Sequence, residues 1–192
     1  MKKTGSKIVI DENIYVEIVK NKDLSRKEMN LMNNARMKEW NAEGKRYFSR
    51  DYEAETRWFF VKRGKSQKIV SFGGIRPIKI KYLGKEYKIG GICSTVSIEK
   101  GKGYGGVMIG AMINYSKKTG KTILGFTTQT PFFKKAGLMT RKGFIKRFVY
   151  VDKLGKKTFD DEGDGVYYEG KDKFISRVMK TKNPVYITVL HW

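Results

Sequence analysis

The hexapeptide Gly101-Lys102-Gly103-Tyr104-Gly105-Gly106 follows the β-branched stretch Ser94-Thr95-Val96-Ser97-Ile98 and precedes an apolar run from Val107 to Tyr115. A strand, a glycine loop and a helix in that order leave backbone N–H groups unpaired at the positive end of a helix dipole. Such groups bind phosphate or pyrophosphate. Gly101, Gly103 and Gly105 let the backbone approach an anion with no Cβ in the way. The P-loop pattern is not met, because the Gly101-Lys102 pair of this loop is followed by Gly103 and not by Ser or Thr. The dinucleotide pattern Gly-x-Gly-x-x-Gly is present in letters, but the preceding strands read as antiparallel hairpins and no clear ribose-binding acid follows the helix.

Three carboxylates are candidates for a general base. Glu53 and Glu55 stand ahead of a strand, and Glu99 directly precedes the glycine loop, where it also reads as a loop-shaping charge. His191, the only histidine, and the Trp192 carboxylate lie at the end of the chain. Cys93, the only cysteine, reads as a small buried residue of a strand, which leaves no intramolecular disulfide and fits a reducing, cytoplasmic setting. The acidic run Asp160 to Gly165 resembles a calcium loop, but its twelfth position falls on Lys171, so no metal site is expected.

The elements that must position these residues belong to a chain of 192 residues, 40% hydrophobic and 13% aromatic, enough for one domain, 1–192, with a full core. No stretch is long and apolar enough for a membrane span. Lys and Arg number 41 against 19 Asp and Glu, a net charge of +22. That excess either reflects lysine-rich composition or marks a nucleic acid or other polyanion as partner.

Alternation in Asn13 to Lys20 predicts a strand. Ser25 and Glu28 form a capping box that opens a helix carrying Met29, Met32, Ala35 and Trp40. Strands follow at Arg57–Gly64 and Lys68–Leu83; Leu83-Gly84-Lys85-Glu86 turns the chain into a return strand ending near Ile98. Val107, Met108, Ala111, Met112 and Tyr115 have helical spacing, closed by Gly120. Thr122–Gln129 is a short buried strand, and Thr130-Pro131 starts a short helix. Phe144–Val151 reads as a strand, followed by a polar excursion, a helix near Phe174 and a last strand from Pro184.

This order of elements resembles the GNAT superfamily of acyl-CoA N-acyltransferases. The family hallmark Arg/Gln-x-x-Gly-x-Gly/Ala is similar to Lys100-Gly101-Lys102-Gly103-Tyr104-Gly105, with Lys in the first position. A second family segment resembles Phe132-Phe133-Lys134-Lys135-Ala136-Gly137-Leu138. The resemblance covers roughly residues 13 to 151. It implies an α/β (α+β) fold whose mixed, mostly antiparallel seven-stranded sheet is flanked by helices and splayed between its fourth and fifth strands. It also implies acetyl-CoA, or another acyl-CoA, as co-substrate and an amine as acceptor. Pyrophosphate would rest on Gly101 to Gly106, helped by Lys100 and Lys102, and pantetheine would bond backbone around Thr95, Val96 and Ser97. Phe132 and Phe133 would border the same ligand. The family's tyrosine acid corresponds to Phe133, which has no proton to donate. Two readings follow: an active N-acyltransferase, or a catalytically degenerate fold that binds CoA or nucleic acid.

Overall fold

A continuous apolar run, Trp58-Phe59-Phe60-Val61, can only be satisfied by cover on both faces, and all four side chains are fully buried. In this computed structural model, which describes residues 6–160 and 162–189, that run is the centre of strand β3 (Arg57–Arg63). The other strands are β1 (Ser6–Val9), β2 (Ile14–Lys20), β4 (Lys68–Tyr82), β5 (Lys85–Ser97), β6 (Ile123–Thr127), β7 (Met139–Arg141), β8 (Phe148–Val151), β9 (Lys157–Phe159), β10 (Asp164–Tyr168) and β11 (Val185–Ile187). The helices are α1 (Arg26–Trp40), α2 (Phe48–Asp51), α3 (Tyr104–Thr119), α4 (Thr130–Lys135) and α5 (Phe174–Met179).

The chain divides into two compact units, Met1–Arg76 with Ser94–Met112, and Pro77–Cys93 with Ile113–Trp192. Strands β4 and β5 and helix α3 run through both. The main sheet holds eight strands against the seven expected: β1, β7 and β10 join it, while β8 and the last strand pair in a separate sheet. Its pairings are mostly antiparallel; β5 and β6 pair in parallel, at Gly90↔Ile123 and Gly91↔Leu124.

In the first unit β1 pairs β2, β2 pairs β3 and β3 pairs β4, all antiparallel. Helix α1 starts as expected: Ser25 Oγ accepts from the Glu28 amide, and the Glu28 carboxylate accepts from the Ser25 amide at 2.9 Å. Trp58 is buried together with its indole N–H, which donates to Asn21 Oδ1 at 3.0 Å. Asn21 in turn donates to the carbonyl of Phe48. A buried donor is thereby satisfied.

In the second unit β6 pairs β10, which pairs β7. The segment 164–168, read from sequence as part of a polar excursion, is this strand; Val166 and Tyr167 are buried within it. Residues 144–147 form a 3₁₀ turn in place of the first half of an expected strand. Strand β8 then lies in a separate three-stranded sheet, parallel to β11 and antiparallel to β9. The expected last strand, β11, lies in this second sheet, and the antiparallel place next to β6 is taken by β10.

Gly170 closes this unit. Its amide donates to Thr122 Oγ1 at 3.0 Å, while Asp172 accepts from the Thr122 amide (2.7 Å) and the Phe174 amide (3.0 Å). A Cβ at position 170 would lie 2.3 Å from the Lys121 carbonyl carbon and 2.4 Å from the Gly120 oxygen, both backbone atoms. Gly170→Ala should therefore cost on the order of 3 kcal/mol, read as a fall in melting temperature; an unchanged melting temperature would contradict this packing.

Candidate functional site

Strand β5 does not run straight into the glycine loop. Ser94 has φ +51°, a left-handed conformation that costs a non-glycine residue about 1–2 kcal/mol. Its side chain is held from two sides. Arg36 Nη1 donates to Ser94 Oγ, and Tyr52 Oη lies 2.7 Å from the same oxygen. Arg36 comes from α1, is buried, donates through Nε to the Gly44 carbonyl at 2.7 Å, and lies 4.7 Å from the Trp40 ring centroid. Tyr52, just after α2, stacks on Phe48 and meets Trp58 edge-on at 4.9 Å. Backbone strain and a buried guanidinium thus meet at one residue of the strand.

Beyond Ser94, Thr95 and Ser97 are half-buried and Val96 is buried, as the alternation of a strand requires. The Val96 carbonyl accepts from Ser71 Oγ at 3.0 Å. The chain then leaves the sheet. The amides of Ile98 and Glu99 both donate to the Val70 carbonyl, at 2.9 and 3.2 Å, so these two donors are committed within the protein. Gly101 (φ +75°) and Gly103 (φ +80°) take left-handed conformations that glycine adopts without strain. Among the described residues, the amides of Lys100, Gly101 and Gly103 donate no backbone hydrogen bond. The first helical bond of α3 runs from the Val107 amide to the Gly103 carbonyl, which leaves the amides of Tyr104, Gly105 and Gly106 without helical acceptors.

The loop carries fixed charges. Glu99 lies 2.8 Å from Lys68 Nζ and 3.3 Å from Arg63 Nη1, and Arg63 also donates to Tyr104 Oη at 3.1 Å. The Lys68 hydrogen bond and the Arg63 and Lys102 charges hold the Glu99 carboxyl below its ordinary value. Lys100 turns to α1 and pairs with Glu39 at 2.8 Å. Lys102 is exposed, and Tyr104 is buried with its hydroxyl on Arg63.

Glu53 and Glu55 stand elsewhere in the same unit. Burial opposes ionisation of Glu53, but two hydrogen bonds from Arg76 (2.7 and 3.1 Å) outweigh it and keep its pKa below the ordinary range. Glu55 is exposed and is lowered by its hydrogen bond to Lys20, with Lys22 also paired to it. Phe132 and Phe133 belong to the second unit; their rings meet edge-to-face at 5.0 Å, with Phe132 exposed and Phe133 buried. His191 and Trp192 lie outside the described residues. Ser94 was visible in the sequence as one hydroxyl among many. Arg36 and Tyr52 were not singled out; the only trace of Tyr52 is its i, i+4 spacing to Phe48.

A site for the CoA diphosphate can be tested on these atoms. A Cβ built at Gly101, Gly103 or Gly106 would meet nothing within 4 Å, so the surface over the loop is open. The available amides, the N-terminus of a 16-residue helix and the exposed Lys102 all favour an anion there. The residues present fit the group. Among the described residues, no cluster of His, Cys, Asp or Glu has a metal-holding arrangement, and no helix is long and apolar enough to cross a membrane.

No family model and no curated protein matches the sequence. Solved structures do match the fold. A GNAT family N-acetyltransferase (YhbS) from Escherichia coli in complex with CoA aligns over 91% of this chain and 89% of its own, with TM-score 0.53 and 7% identity. An acyl-CoA N-acyltransferase from Pseudomonas aeruginosa aligns over 80% and 98%, with TM-score 0.52 and 10% identity. A conserved protein of unknown function from Enterococcus faecalis V583 shares 17% identity at TM-score 0.51 over 67% of this chain; the match spans about a third of that protein's length, 33%. The strand–glycine loop–helix unit reached from the residues therefore sits in a known architecture, and the chain has the fold of the GNAT superfamily.

Proposed function

We propose that the protein is an N-acyltransferase that moves an acetyl group from acetyl-CoA to an amine. The observation that carries this reading is the loop after β5. Two left-handed glycines and the first turn of α3 offer amides without acceptors, beside open space. The acyl-CoA supplies an activated thioester. The chain must hold its diphosphate, dispose of a proton from the amine and donate to the charge that builds at the reacting carbonyl.

Gly101, Gly103 and the first amides of α3 hold the diphosphate, with Lys102 adding charge. Backbone from Thr95 to Ser97 lies alongside the pantetheine arm. For proton handling, the three carboxylates are weakened as bases by the cations that depress them. The polar groups that converge at the irregular turn of β5 are Ser94, Tyr52 and Arg36. Arg36 donates to Ser94 Oγ, and Tyr52 Oη shares a hydrogen bond with the same oxygen; in the arrangement where Tyr52 is its donor, the Ser94 hydrogen can donate outward. These groups stand in for the acid that Phe133 cannot be.

Depressed carboxylates and a phenyl ring at the family's tyrosine position also support a second reading, in which the fold binds CoA without turnover. Acetyl-CoA stabilises the protein in both readings. Only the first gives thiol release with a panel of small amines, basic peptides and aminoacylated RNA. An acceptor carried on nucleic acid accords with the +22 charge, which repels a free polycation.

Gly103→Asp should abolish thermal stabilisation by CoA, because it places a carboxylate and a strained residue where φ is +80°; binding within about threefold of wild type would refute the loop assignment. Tyr52→Phe should lower thiol release about tenfold with CoA affinity unchanged, and equal turnover would remove Tyr52 from the chemistry. For Glu53, the depressed folded-state pKa means its ion pair stabilises fully above the ordinary carboxylate range and is lost as pH falls through the folded-state value. Arg76→Met removes the main opposition to burial and leaves the Thr56 hydroxyl and a backbone hydrogen bond, so carboxyl NMR should show the Glu53 midpoint moving up; an unchanged midpoint would contradict the role given to Arg76.

A further inference from the structure

The three-stranded sheet of the second unit has an outward face that the acyl-transfer reading does not use. Register sets Tyr186 opposite Val149 and Val149 opposite Phe159, so these three side chains share one face. Val149 in the middle is buried, but Phe159 is 70% and Tyr186 46% exposed. Two aromatic rings therefore flank one row, two strand spacings apart, about 10 Å. Phe148, Val185 and Ile187 point the other way and are buried.

Cations surround that row. Lys157 shares the face, opposite Val151, and its Nζ lies 5.3 Å from the Tyr186 ring centroid. The turn between β8 and β9 adds exposed Lys153 and Lys156 beside Leu154, which is 93% exposed. The one acid of this turn, Asp152, accepts from the amides of Leu154 (2.8 Å) and Lys156 (2.9 Å) and so shapes the hairpin. The turn is pinned, and its lysines project from a fixed base.

Exposed apolar surface grouped on one face marks an interaction site. An apolar protein partner would be served by rings alone and would be repelled by no charge of its own. Here lysines interleave with the rings, in a chain of net charge +22. That combination suits a strand of bases and phosphates, since every base has a face to stack and every linkage a charge to neutralise. Duplex nucleic acid hides its base faces and gains only from the lysines.

We infer that the outward face of the β9–β8–β11 sheet binds single-stranded nucleic acid, with bases stacked on Phe159 and Tyr186 and phosphates on Lys153, Lys156 and Lys157. The acidic run Asp160-Asp161-Glu162 follows Phe159 in the sequence, so the backbone of the bound strand runs toward the hairpin and away from that end.

The test is fluorescence anisotropy with labelled twelve-nucleotide oligo-uridine and oligo-thymidine and a duplex of equal length, over a series of salt concentrations. Single strands should bind more tightly than duplex. Phe159→Ala and Tyr186→Ala should each weaken single-strand binding about tenfold, and Phe159→Trp should retain it. Replacing Lys153, Lys156 and Lys157 by Gln should flatten the logarithmic salt slope by about 2. Each variant is checked for wild-type melting temperature and for wild-type thermal stabilisation by acetyl-CoA, which separates this surface from the loop after β5. Equal affinity for duplex, unchanged binding after loss of both rings, or self-association through this face in place of oligonucleotide binding would each overturn the inference.

Discussion

The left-handed backbone of Ser94 is the constraint on which the candidate site depends. A serine in mid-strand does not adopt φ +51° unless its surroundings over-determine it. Here a buried arginine from α1 and a tyrosine beside α2 fasten its hydroxyl, and both are fixed in turn, Arg36 by the Gly44 carbonyl and Tyr52 by Phe48 and Trp58. The irregularity takes the end of β5 out of regular strand geometry. Removing Arg36 or Tyr52 withdraws one of the two hydrogen bonds at Ser94 Oγ in a part-buried setting, which costs more than a lost surface contact.

The glycine loop shows a division of labour among its amides. Ile98 and Glu99 give theirs to Val70 and anchor the exit from the sheet, and the Glu99 side chain fastens the same corner to Lys68 and Arg63. The donors that follow have no such obligations. An anion site gains when its donors are fixed before the ligand arrives, because ordering them afterwards would cost binding energy.

Local signals in the sequence carried most of the fold. The capping box at Ser25, the hairpin turn after Tyr82 and the helical spacing from Val107 are chain-local effects that appear where they were expected, although the turn is confined to Leu83-Gly84 and Lys85 and Glu86 already belong to β5. What escaped depended on distant partners. Residues 164–168 became a strand because β6 and β7 flank them, while their acidic and glycine content reads as a turn. Strand β9 is three residues long, and three residues carry no periodicity. At the site, the glycines were legible because glycine has few other uses in such a cluster. Arg36 and Tyr52 were not, since an arginine in a helix and a tyrosine in a loop are ordinary until Ser94 is brought between them.

The carboxylates paired at Arg76, Lys20, Lys68 and Lys100 have a wider meaning for a chain so short of acids. With 19 acidic side chains set among 41 basic ones, each carboxylate acts as mortar between like-charged stones. Protonating them does two things at once. It dissolves the individual pairs, and it drives the molecule from +22 toward +41, so mutual repulsion grows as the bonds opposing it vanish. Acid unfolding of this protein should be abrupt, and simple anions in the buffer should delay it.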